Sequence, residues 1–292
     1  MQENNNLVPE NNTQETSTPL TPLSLTDILD GMFTLYRNHF HLFFKISLVY
    51  FLIGFVIDII SMDFIVHSRP SDLPILSFFI LFPSLLLSMF VVGGLSYASA
   101  NVFLGRNITS GDALRQILRR YLPYLGGFII YSLAILGMFI TCIGIPFAVY
   151  FMVRWGLYGL PVLFEETPTM ASLRRSTELV KGTWWRVCGI MFALLIIYYM
   201  ILTIISTSIS FVFFLIPGAA EIPQDATIIE SMSFIFTPTP RDIGWTLYMI
   251  RSFITIGITA LALPIGSIGS TLLYFDLRIR KEAYDIEMQA TN

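Results

Sequence analysis

Charge is scarce in this chain. Only 13% of its 292 residues are Asp, Glu, Lys or Arg, about half the share of an average soluble domain. Hydrophobic residues make up 54%, and the mean hydropathy is +0.70. Such a chain belongs in a bilayer rather than in water. A net charge of −3 from 17 bases and 20 acids lacks the clustered basic surface that nucleic acid requires, so no nucleic-acid partner is expected. Cysteine is nearly absent, with only Cys142 and Cys188, which excludes a disulfide scaffold. Histidine is equally rare: His39, His41 and His67 form no HExxH pair, and there is no glycine-rich phosphate loop. No catalytic residue, metal or cofactor is expected.

What the chain has is apolar length. Residues 1–22, MQENNNLVPENNTQETSTPLTP, are polar with three acids and no base, the composition of a disordered tail. They lack the basic start and apolar stretch of a signal peptide, so the first membrane helix is expected to direct insertion. A hydrocarbon core of about 30 Å takes roughly 20 apolar residues per helix. Six spans satisfy this: Phe40 to Ile60, a second within Leu73 to Gly105, a third from Leu122, a fourth from Pro146 to Phe164 after a tight "CIGIP" hairpin, a fifth from Val187 to Phe211, and a sixth from Ile243 to Phe275. The expected organisation is a tail (1–22), a six-helix membrane domain (23–280) and a C-terminal tail (281–292).

Eleven Lys and Arg fall in the even-numbered loops and the C-terminal tail, against Arg69 and Arg241 on the other side. This positive-inside asymmetry places the protein in the cytoplasmic membrane with both termini cytoplasmic, and puts the two cysteines at opposite faces.

Three stretches carry a helical apolar stripe just before an odd-numbered span. "SLTDILDGMFTLYRNHF" opens with the cap pair Ser24 and Asp27, "TSGDALRQILRRYLPYL" with Thr109 and Asp112, and the stretch after Thr167 with Pro168 at the first helical position. The expected ends are turns at Asn38, Pro123 and Gly182. In the second stretch, Arg115, Arg119 and Arg120 are assigned to the polar side, opposite Leu114, Ile117 and Leu118. The expected architecture is therefore all-α: six transmembrane helices with three amphipathic interfacial helices in a three-fold pseudo-repeat. Arg115, Arg119, Arg120, Arg174 and Arg175 are the interfacial bases, facing membrane lipids, anionic phospholipid among them, or a protein partner. An insertion device that only fixes orientation is the competing account.

"LSLTDILDGMFTLYRNHF", "VLFEETPTMASLRRSTELVKGTWWRV" and "LLYFDLRIRKEAYDIE" together resemble a bacterial polytopic family related to the membrane domain of glycerophosphoryl diester phosphodiesterases. The resemblance implies a multi-helix membrane domain. The catalytic barrel of those enzymes needs about 250 further residues, so the chain is expected to be non-catalytic.

Charges inside the spans remain. A charged side chain there is costly unless paired or wetted, by about 3 kcal/mol or more. Asp58, Arg154 and Arg251 are thus expected to face the bundle as one polar cluster, either as a structural Asp–Arg pair or as a cavity for an anionic headgroup or solute. Function accordingly divides between a scaffold or lipid-associated protein and a small transporter using the Arg154/Arg251 cavity. Glycines and small residues at Gly94/Ala98, Gly126/Gly127 and Gly266/Ser270 are read as close helix contacts.

Overall fold

The computed structural model describes residues 23–69, 73–141, 143–215, 227, 236 and 238–291, with side chains described for all of these except 73–80 and 283–291. The N-terminal tail and Cys142 lie outside the described residues. Among the described residues 87% are helical and none is in a strand, which establishes the all-α class. Its helices are α1 (Leu25–Asn38), α2 (Phe40–His67), α3 (Leu73–Phe103), α4 (Ser110–Phe139), α5 (Gly144–Trp155), α6 (Gly159–Leu163), α7 (Thr169–Val180), α8 (Trp184–Phe214) and α9 (Pro240–Thr291). Six segments are long and apolar enough to cross a membrane: α2, Leu81–Phe103 of α3, α4, Gly144–Leu163 through α5 and α6, α8, and Pro240–Glu282 of α9. The protein is an integral, multi-pass membrane protein.

Local chemistry explains most boundaries. Ser24 and Asp27 form the expected capping box at α1, and Thr109 accepts from the Asp112 amide at α4. The hydrogen bonds from Ser24 hold the Asp27 carboxyl below its ordinary range. α1 stops at His39, and α7 at a turn in which Gly182 adopts φ +89°, a conformation that only glycine takes without strain. At α7 the cap position is Pro168, with Thr169 the first helical residue, one position later than the sequence pattern indicates.

Pro123 does not end a helix. α4 runs through it as one 30-residue rod, so the second interfacial helix and the third span are a single element. No glycine or asparagine sits there to turn the chain, and neighbours grip the rod on both sides of the proline. The Tyr121 hydroxyl donates to the Leu86 carbonyl (2.9 Å) and the Thr169 hydroxyl to the Pro123 carbonyl (3.0 Å). A proline within an apolar helix survives when packing supports it in this way. The fourth span is instead broken at residues 156–158. Pro161 has no N–H to give to Leu157, and bonds such as Tyr158 N–H to Trp155 O (3.1 Å) tighten the turn. α9 continues well past Phe275, supported by the Asp276–Arg280 and Arg278–Glu282 pairs one turn apart.

Packing divides the bundle into two halves. At the end where the basic loops gather, α1 lies antiparallel to α9, from the Leu23–Asp276 contact to a hydrogen bond from the Tyr36 hydroxyl to the Leu261 carbonyl (2.9 Å). Ile28, Phe43, Ile46, Leu95, Ile268 and Tyr274 are fully buried there, where close van der Waals packing rather than escape from water holds the spans together. The other half spreads open. Leu52, Val56, Ile60 and Phe64, one face of α2, are all about half exposed, as are Leu133 and Leu136 of α4 and Leu195 and Tyr199 of α8. Faces this apolar call for lipid around them.

Two glycines make the closest α4–α6 approach. A Cβ on Gly127 would lie 2.7 Å from the Tyr158 ring, and one on Gly159 would lie 2.8 Å from the Tyr124 ring. The two rings stack between them at 5.7 Å. Gly266 is not such a contact, its nearest neighbour being Tyr198 at 3.9 Å.

Candidate functional site

Ionic chemistry is concentrated at the basic end of the packed half. Asp276 of α9 is fully buried. It accepts from Arg186 Nη1 of α8 (2.5 Å), from Arg280 Nε one turn on (3.0 Å) and from the Leu23 amide just before α1 (2.7 Å). The same two guanidiniums donate back to the Leu23 carbonyl, at 2.6 and 3.0 Å. The backbone N–H and C=O of a single residue at the head of α1 are thereby clamped to α8 and α9. Beside it, Glu165 accepts from the buried Tyr274 hydroxyl and pairs with Arg175 at 3.3 Å. Arg175 and Arg278 also share Glu282, at 3.2 and 2.7 Å. A third lock holds Glu166, whose backbone is left-handed at φ 55°. Its carboxylate takes Gln116 Nε2 (3.1 Å) and Arg120, while Arg120 Nη1 reaches its carbonyl at 3.1 Å. The bond from Gln116, then the Arg120 guanidinium, keep the Glu166 carboxyl below its ordinary range.

The expected interfacial arginines therefore separate by role. Arg175 and Arg120 tie elements together, and Arg174 pairs with Glu178 on its own helix at 3.1 Å. Arg115 and Arg119 are exposed and have no ion-pair partner among the described residues. Leu118, expected on the apolar side, is in fact 67% exposed, and Leu122 is 80% exposed. Turning 100° per residue, Leu118, Leu122, Arg115 and Arg119 fall on one outward stripe. The buried stripe consists of Ala113 and Ile117. Periodicity alone misassigned Leu118 because it lies at the edge between the two faces.

The expected cluster of Asp58, Arg154 and Arg251 does not assemble into ion pairs among the described residues. Asp58 Oδ2 accepts from the Tyr248 hydroxyl (2.9 Å) and from the Ser252 hydroxyl. Its carboxyl group lines a cavity of about 260 Å³ with Tyr50, Ser61 and Leu81. Arg251 turns to the α8 side, donating to the Phe236 carbonyl (2.5 Å) and Ser210 Oγ (3.2 Å), with its Nε buried and unpartnered. Arg154 is elsewhere. It bonds the Tyr150 hydroxyl at 2.8 Å and lies 5.1 Å over that ring, which in turn stacks on Trp184. The two hydroxyls that serve Asp58 come from α9 at positions 248 and 252, one turn apart, a spacing visible in the sequence only once α2 and α9 are known to be neighbours.

No family model matches this chain, and no curated protein or solved structure is significantly similar to it. Function has to be read from these side chains. Asp58→Asn is expected to couple to Tyr248→Phe by about 0.5–3 kcal/mol, because the two share a hydrogen bond, while Asp58→Asn and Arg154→Leu add within about 0.5 kcal/mol. Thermal unfolding of the three single and two double variants in detergent reads both cycles, and coupling to Arg154 rather than Tyr248 would contradict the arrangement.

Proposed function

We propose that this protein is a non-catalytic membrane scaffold of the cytoplasmic membrane, with both termini inside, whose basic end rests among lipid headgroups and favours anionic phospholipid. The exposed α4 stripe carries this reading. Leu118 and Leu122 stand beside Arg115 and Arg119, so two apolar side chains enter the acyl boundary where two guanidiniums meet phosphates. Phe33 of α1 (45% exposed) and Trp185 of α8 (83% exposed) are further exposed aromatics of the kind that settle at headgroup level. The non-catalytic membrane domain that the sequence resemblance suggests agrees with this role.

Arg115→Gln with Arg119→Gln is the test. Arg120 stays, because its bonds to Glu166 make it structural. Each base near an anionic surface contributes about 1 kcal/mol, so phosphatidylglycerol retained through purification should fall by roughly tenfold or more, with the melting temperature in detergent unchanged. Undiminished retention would overturn the reading. A second reading, a solute carrier, is favoured by the Asp58 cavity: a carboxylate among hydroxyls within a membrane span is the usual chemistry of an ion or solute path.

A further inference from the structure

We propose that the cavity between the α7–α8 turn and residues 277–281 of α9 is a binding site for a phosphate group. It encloses about 360 Å³ and is lined by three cations, Lys181, Arg280 and Lys281, together with the Gly182–Thr183 turn. Leu179 and Leu277 form its apolar floor. Among the described residues, no carboxylate lines it.

The charge balance points to an anion. Asp276, which is not part of that lining, is shared between Arg186 and Arg280. Neither Lys181 nor Lys281 has an ion-pair partner among the described residues. Three cations therefore line one cavity, only Arg280 among them having a carboxylate partner among the described residues, and lining side chains this near one another repel without full screening. Arg280 spends Nε on Asp276 and Nη2 on the Leu23 carbonyl, which fixes the guanidinium plane and leaves Nη1 uncommitted. A guanidinium held in place suits phosphate oxygens, and the two lysines add mobile point charges. At Gly182 a Cβ would meet nothing within 4 Å, so the backbone of the turn stays open to a ligand. The apolar floor and the neighbouring exposed Trp185 set the cavity at headgroup depth, where basic pockets between membrane helices receive lipid phosphates. The site is separate from the α4 stripe, and either can fail without the other.

The source of the phosphate, a lipid headgroup or a soluble ion, is separated by the probe. The delipidated full chain in detergent is titrated with phosphatidic acid, with phosphatidylcholine as a zwitterionic lipid control, and with inorganic phosphate, reading bound mass by native mass spectrometry. The variants are the Lys181→Gln/Lys281→Gln pair, the Lys181→Arg/Lys281→Arg pair and Arg115→Gln/Arg119→Gln. The Gln pair is expected to weaken phosphatidic acid binding by about thirtyfold, from two bases near the surface. The Arg pair and the α4 variant should retain binding at this cavity. Loss confined to phosphatidic acid assigns a lipid headgroup, and equal loss for inorganic phosphate assigns a soluble ion. If the Gln pair, with an unchanged melting temperature, binds both phosphate probes as the parent does, the proposal is overturned. Loss in the Arg pair equal to that in the Gln pair would overturn it as well, since charge would then not be what matters.

Discussion

Asp276→Ala is expected to lower stability by about 3 kcal/mol, the lower end of the range for breaking a buried ion pair. The carboxylate is fully buried, while the Arg186 and Arg280 side chains are 30% and 35% exposed, so water partly relieves the two orphaned cations. What water does not restore is the acceptor for the Leu23 amide, and with it the docking of α1 against α9. Asp276→Asn keeps one acceptor and the volume of the side chain, and should lose less. Thermal unfolding in detergent measures both, and proteolysis within residues 25–38 reports whether α1 has come loose. If Asp276→Ala melts like the parent, the clamp is not what seats α1.

Gly127→Val is the second large effect, about 1–3 kcal/mol from overpacking. The new side chain would point into the Tyr158 ring, which cannot retreat because Tyr124 stacks behind it over Gly159. Gly137 in the same helix meets nothing within 4 Å, so Gly137→Ala should be neutral or stabilising by up to about 1 kcal/mol, through helix propensity. A shared melting temperature for the two variants would show that the α4–α6 approach is looser than the ring contacts indicate.

Both effects arise where the sequence was only partly legible. Gly127 stood out as a small residue at helix-packing spacing, yet its partner ring lies 31 positions away, across a hairpin, and spacing does not reveal it. Asp276 sat in plain view in "YFDLRIRKE", where the pairs Asp276–Arg280 and Arg278–Glu282 are readable at one-turn spacing. That the carboxylate also binds Arg186 and the Leu23 amide N–H depends on three segments meeting, and no local pattern encodes their meeting.

The sequence by itself determined the class of molecule, the number of apolar segments able to cross a membrane, the caps at Ser24 and Thr109 and the gathering of bases at one end, since each follows from composition or from spacing within a few residues. Tertiary structure decided the rest. Pro123 stays helical because Tyr121 bonds to α3 and the Pro123 carbonyl is held by Thr169 of α7. Leu118 faces outward because α3 covers Ile117 instead. Asp58 pairs with hydroxyls of α9 while Arg154 turns to Tyr150, because a buried charge takes whichever partner packing brings within hydrogen-bond reach, and that choice is made by helices nearly two hundred residues apart in the chain.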